Sequence, residues 1–127
     1  MTPKRVLIIE DSEDAAAALA FLLQAAGHIV EVASSGNEGI AKTLSFRPQI
    51  VLCDLRLPGL DGYGVARALR SDPQSSGVTL IALSGFSEDE DRALAIGAGF
   101  DHHLGKPFQP DALLRLVGTT QPADPAD

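Results

Sequence analysis

The chain has no tryptophan, one tyrosine, one methionine and a single cysteine, and its 10 lysines and arginines are outnumbered by 17 acidic residues. One cysteine cannot close an internal disulfide, so nothing calls for an oxidising compartment. Cys53 stands inside the apolar run Ile50-Val51-Leu52-Cys53, where a thiol is buried and inert. The shortage of basic residues, with a formal net charge of −7, argues against a grip on DNA or RNA, whose phosphates demand clustered Lys and Arg. Zinc-ligand spacing and a helix-turn-helix pattern are both missing. No apolar stretch approaches the roughly 18 residues that span a bilayer, and Met1-Thr2-Pro3-Lys4-Arg5 leads into a short strand-like run and not a secretory leader. The expectation is a cytoplasmic protein that engages neither membrane nor nucleic acid.

What is present is a regular alternation of two periods. A length of 127 residues suits one domain with one core. Val6-Leu7-Ile8-Ile9 is too short for a helix and reads as a strand buried on both faces. After it, Ala15, Ala18, Leu19, Leu22, Leu23 and Ala26 fall on one helical face, which Gly27 closes. Ile29 to Ala33 reads as a second strand. Ser35-Gly36-Asn37-Glu38 has the form of a capping box opening a helix toward Phe46. Ile50 to Cys53 is a third strand, Leu57-Pro58-Gly59 a turn, and Val65, Ala66 and Leu69 mark a third helix. Val78 to Leu83 is a fourth strand. Ser87-Glu88-Asp89-Glu90 is a second capping box, whose helix fades at Gly97. A short strand around Phe100 to Leu104 follows, and Pro110 opens a last helix through Val117. Strict β-α alternation implies an α/β, doubly wound (βα)5 three-layer sandwich, a five-stranded open parallel sheet with helices on both faces and right-handed crossovers. The expected domain covers residues 4–117, and 118–127, rich in Pro, Asp, Ala and Thr, reads as a disordered tail or linker.

In such sheets ligands bind beyond the carboxyl ends of the strands, where the strand order reverses. The polar residues directly after each apolar run are Glu10 and Asp11, then Asp54, then Ser84, then Lys106 with Pro107. With order 2-1-3-4-5 they line one edge, and the acids meet at the reversal. Three converging carboxylates repel one another unless a cation intervenes, and a hard divalent ion such as Mg2+ suits carboxylates, waters and a phosphate. Lys106 adds an ammonium and Ser84 a hydroxyl donor. An ionised carboxylate, a metal, an ammonium and a hydroxyl are the parts that phosphoryl transfer needs.

These five positions, at these spacings, resemble the receiver domain of two-component response regulators, over about residues 4–117. The resemblance implies that Asp54 is the phosphorylated aspartate and that its partner is a histidine kinase or a histidine phosphotransfer protein. It implies that Asp11 ligates Mg2+ directly, Glu10 largely through water, and Arg56 through its backbone carbonyl. Lys106 would contact the phosphoryl group, and the Lys106-Pro107 bond is expected to be cis. Ser84 would hydrogen-bond the phosphoryl group and couple to a switch residue, usually Tyr or Phe; here the matching position holds His103. Arg56 and Phe86 would tune the lifetime of the acyl phosphate. A downstream protein would read the face made by the fourth helix, the fifth strand and the last helix. Such a chain is a phosphoacceptor and catalyses only its own phosphorylation and dephosphorylation. The stretch from Ala82 to Leu114 resembles receivers attached to hybrid histidine kinases, while Met1 favours a stand-alone regulator.

Rival readings each meet a residue that counts against them. A phosphatase of the haloacid-dehalogenase kind wants a second acid two positions after its nucleophilic aspartate, and Arg56 stands there. A serine-hydrolase elbow would need glycine where Ala82 stands. A flavodoxin-like flavin binder has its phosphate loop after the first strand, where this chain has two acids. A degenerate docking module would have lost an acid or the lysine. Taken alone, Glu10-Asp11 could be turn chemistry with Asp11 or Ser12 capping a helix. His102 and His103 are adjacent and point to opposite faces of a strand, and His28 suits a helix end.

Overall fold

Three runs, Val6 to Ile9, Ile50 to Cys53 and Leu80 to Leu83, are each 0% exposed, as a parallel sheet covered on both faces requires. They are the central strands of an all-parallel five-stranded sheet. The structure, a computed structural model, describes residues 3–85, 89–107 and 109–119, and of 89–91 the backbone alone. In chain order the elements are β1 (Arg5–Ile9), α1 (Glu13–Ala25), β2 (Ile29–Ala33), α2 (Gly36–Phe46), β3 (Ile50–Asp54), α3 (Gly62–Ser71), β4 (Thr79–Ser84), α4 (Asp89–Ala98), β5 (His102–Gly105) and α5 (Pro110–Thr119). The strand order is β2-β1-β3-β4-β5, the flavodoxin-like order that the resemblance implies.

Because side chains alternate along a strand, the same strands feed two cores. Leu7, Ile9, Val51, Cys53, Leu80 and Ala82 pack with Val65, Ala66 and Leu69 of α3 and Ala95 and Ala98 of α4. Val6, Ile8, Ile50, Leu52, Ile81 and Leu83 pack with Ala16, Leu19 and Leu23 of α1 and Leu113 and Val117 of α5. Helix α2 joins the first layer through Ile40 and Phe46. The chain thus leaves β1 toward one face and β3 toward the other, which opens a crevice between them at the carboxyl edge.

Several local expectations need adjusting. In α1 the buried positions are Ala16, Leu19 and Leu23, while Ala18 is exposed and Phe21 is 74% exposed. A helix with five alanines in its first eight residues has little periodicity of its own, so packing chose the face. Ser12 is its N-cap, accepting from the Ala15 amide at 3.3 Å. Its other end closes at Gly27, φ +96°, with the amides of Gly27 and His28 returning to the carbonyls of Gln24 and Leu23. The first capping box reaches one residue further than expected: Ser35 Oγ accepts from the Glu38 amide, but Glu38 Oε1 accepts from the Ser34 amide and hydroxyl. Gly118 and Thr119 complete α5, so the helix runs two residues past the expected domain end. Phe86, the Ser87-Glu88 half of the second capping box and residues 120–127 lie outside the described residues.

The amino edge of the sheet is tied by cations on carbonyls. Lys4, almost fully buried, gives its ammonium to the carbonyl of Val117 at 2.7 Å and of Gly118 at 3.3 Å, at the end of α5. The Arg70 guanidinium donates to the carbonyls of Gly99, Ser76 and Val78 and to Asp101 Oδ2, which also accepts from the Leu80 amide. His28 does stand just past the end of α1, its amide closing that helix on the Leu23 carbonyl, but it is not a charged base there. It is buried before β2 and accepts the Lys4 amide at Nδ1, 3.1 Å. With Nδ1 an acceptor, the ring is neutral and protonated at Nε2, and Nε2 is buried with no partner among the described residues. Burial, and then the neighbouring Lys4 charge, hold the imidazole below its usual range.

Candidate functional site

Register places the chemistry. Ile9 pairs with Cys53, so Glu10 and Asp54, one residue further on, are lateral neighbours at the edge. Asp54 pairs with Leu83, and Ser84 with Gly105, which brings Ser84 and Lys106 to the same edge from the other side. The Lys106 amide donates to the Ser84 carbonyl at 2.6 Å, and the Lys106-Pro107 peptide is cis.

Carboxylate oxygens of Glu10, Asp11 and Asp54 all lie within 4.8 Å of one another. Glu10 is 3% exposed and Asp54 7%, so these are not solvated acids ending a strand. Asp11 is exposed at the mouth. The Lys106 ammonium bridges the inner pair, 3.2 Å from Glu10 Oε1 and 3.3 Å from Asp54 Oδ2. Two backbone amides complete the arrangement: Ser12 donates to Glu10 Oε2 at 3.1 Å and Arg56 to Asp54 Oδ1 at 2.9 Å. These donors carry no residue-type signal, and a reading of side chains alone misses them.

One ammonium faces three carboxylates. Burial raises the Glu10 carboxyl above the usual range, helped by the Asp54 charge, against the lowering pull of the Ser12 amide and Lys106. Burial alone would lower the Lys106 ammonium, but the Asp54 and Glu10 charges outweigh it and the net shift is upward. The donor set is all oxygen, partly sheltered and short of positive charge, and it fits a hard divalent cation with Glu10, Asp11 and Asp54 as the holders.

The other expected residues fall as follows. Ser84 is fully buried at the end of β4. His103 is half-buried on β5, paired with Ala82, while His102 is exposed. Arg56 is exposed immediately after β3. Cys53 is buried with its thiol pushed far up by burial and by the neighbouring acids, which excludes it as a nucleophile. No described helix is long and apolar enough to cross a membrane.

The family model for the response regulator receiver domain matches residues 6–118. The DNA-binding response regulator MtrA of Mycobacterium tuberculosis is 33% identical over 114 residues, which is 90% of this chain and 49% of MtrA, so the chain spans about half the length of that relative. The chemotaxis protein CheY4 of Vibrio cholerae superposes with a TM-score of 0.88 at 27% identity, covering 94% of this chain and 100% of that one. The receiver domain of the sensor histidine kinase PA1611 of Pseudomonas aeruginosa, solved with a magnesium ion in its active site cleft, gives 0.84 at 28% identity, covering 91% and 95%. With the fold, the acidic crevice and the matched span in agreement, the chain belongs to the response regulator receiver domains of two-component phosphorelay signalling.

Proposed function

We propose that the chain accepts a phosphoryl group on the Asp54 carboxylate from a phosphohistidine, on a histidine kinase or a histidine phosphotransfer protein, and that a protein-binding face responds. The observation that carries this is the meeting of the Glu10, Asp11 and Asp54 carboxylates with the Lys106 ammonium in one crevice. In the transfer an Asp54 oxygen bonds to phosphorus while the P–N bond breaks, and the imidazole nitrogen leaves with the bonding pair. The Arg56 amide and the Lys106 ammonium hold the two Asp54 oxygens in place beforehand. Asp11 directly, Glu10 largely through water and the Arg56 carbonyl would hold Mg2+. Bound there, Mg2+ would offset the charge gathered between the carboxylates and the phosphoryl oxygens.

Once the group has moved, Lys106 has a new anion within reach and Ser84 a new acceptor for its hydroxyl. His103, on the strand beside Ser84, takes the switch position. The face of α4, β5 and α5 then shifts between two states whose balance phosphorylation biases, and a tenfold change in affinity for a downstream protein needs only about 1.4 kcal/mol. Arg56 and Phe86, the latter outside the described residues, would set how fast water removes the phosphoryl group. This chemistry belongs in the cytoplasm and asks for no nucleic-acid contact by this domain. Residues beyond 119 would serve as tail or linker.

Incubation with acetyl phosphate and Mg2+ followed by intact mass spectrometry tests the reading. One phosphoryl mass should appear on the unaltered chain and none on Asp54→Asn. Equal labelling of both, or steady turnover of phosphate esters, would end it.

A further inference from the structure

Helix α3 begins directly on top of the peptide that follows Asp54. Gly62, its first residue, is buried, and its amide donates to the Leu55 carbonyl at 3.2 Å. A Cβ on Gly62 would stand 2.6 Å from the Asp54 carbonyl oxygen and 2.7 Å from Leu55 Cα, both backbone atoms. Ordinary contact begins at 3.4 Å, so something would have to move by about 0.8 Å.

Neither side can yield freely. The Leu55 amide is bonded to the Leu83 carbonyl at 2.9 Å, so the peptide after Asp54 is locked into β4. On the helix side, Asp61 caps α3 through the Gly64 amide at 2.9 Å, and Val65, Ala66 and Leu69 are packed in the core. The loop from Leu55 to Asp61 therefore leaves the site and returns to press on it, and the Arg56 amide that holds Asp54 Oδ1 lies inside that loop.

We propose that Gly62, which touches no substrate, is a positioning residue for the Asp54 reaction: its bare Cα lets α3 seat on the 54–55 peptide and fixes the Asp54 carboxylate relative to Glu10, Asp11 and Lys106. This rests on the phosphoacceptor reading above. A misplacement approaching 1 Å costs roughly a hundredfold in reactions that depend on alignment. A purely local account expects the opposite sign, since alanine is the better helix former.

The test compares Gly62→Ala with Gly99→Ala. Gly99, at φ +117° and against Arg70, sits at the amino edge, so its substitution also strains the fold but far from Asp54. Two readouts are needed. One is the initial rate of phosphoryl gain from acetyl phosphate at saturating Mg2+, by mass spectrometry, per folded molecule. The other is the Arg56 amide proton shift in metal-free protein. Gly62→Ala should slow the gain roughly ten- to a hundredfold and move the Arg56 amide upfield as its bond to Asp54 lengthens. Gly99→Ala should stay within about twofold of the unaltered rate and leave that amide in place. A Gly62→Ala protein with the unaltered rate and an unmoved Arg56 amide would overturn the proposal. If Gly62→Ala does not fold, Asp61→Ala loosens the same helix start without adding a methyl, and an unmoved Arg56 amide there counts equally against it. Failure of the unaltered chain to gain a phosphoryl group would instead strike the function, while the amide readout would still judge the positioning.

Discussion

The two edges of the sheet treat charge in opposite ways. At the amino edge two cations sit on acceptors within the fold: Lys4 lies on two carbonyls of α5, and Arg70 on three carbonyls and one carboxylate. At the carboxyl edge three carboxylates converge, and one ammonium bridges the inner two, Glu10 and Asp54, which burial shields from water. The first arrangement gives both cations their acceptors within the fold. The second is short of positive charge, which a divalent cation or a proton on Glu10 would relieve. The same sheet is fastened at one end and left under electrostatic tension at the other, so under the proposed function stability and chemistry would separate along the strand axis.

The contrast is sharpest for Arg70. Replacing it with Ala removes four hydrogen bonds that join α3 to the starts of β4 and β5, and should cost about 2–3 kcal/mol in urea unfolding. Phosphorylation by acetyl phosphate, per folded molecule, should stay within about twofold, because additivity holds between distant sites. A large loss of rate with little loss of stability would break the division between the edges.

Magnesium should act the other way round. At a hundred times its Kd it should stabilise the chain by about 2.7 kcal/mol. The gain should vanish in Asp11→Ala. The folded state holds the Glu10 proton more tightly than the unfolded chain does, so ionising Glu10 costs stability as pH rises through its folded value. Mg2+ held by these carboxylates would offset that cost. As pH falls, protons should compete with the ion sooner than they would at an ordinary carboxylate. Melting curves with and without Mg2+ from pH 8 to 4 measure this, and a gain independent of pH would remove the carboxylates from the account.

The smallest effect is expected from His28. Its folded pKa lies below the unfolded value, so its contribution is complete above about pH 6.5 and is lost as pH falls from there toward the folded value. Protonation takes away the Nδ1 acceptor of the Lys4 amide and sets an imidazolium beside the ammonium. His28→Gln, which keeps an acceptor, should show a flatter decline in urea midpoint between pH 7.5 and 5.5. An identical decline in both proteins would mean that the amino edge does not titrate.

Much of the carboxyl edge was legible because its logic is one-dimensional. Continuous apolar runs mark strands buried on both faces, and an acid ending such a run marks the edge; Glu10, Asp11 and Asp54 announce themselves this way, while Lys106 follows the short, half-buried β5 and is placed by the alternation of elements. The amino edge was not. His28 reads as a helix-end base and is a buried neutral acceptor, because its partner, the Lys4 amide, is 24 positions away and carries no side-chain signal. In α1 the alanine-rich pattern suggested Ala18 on the inner face, and the sheet selected Ala16 instead.

By itself the sequence determined the alternation of strands and helices, the burial of the central strands and which ionisable groups stand at strand ends, since all of these follow from local hydrophobic period. Only the tertiary structure decided which ends become neighbours and how far apart, which backbone amides hold the carboxylates, and how closely Gly62 lies on the Asp54 peptide. Those depend on register between strands and on contacts between distant segments, and a pattern read along one chain carries neither.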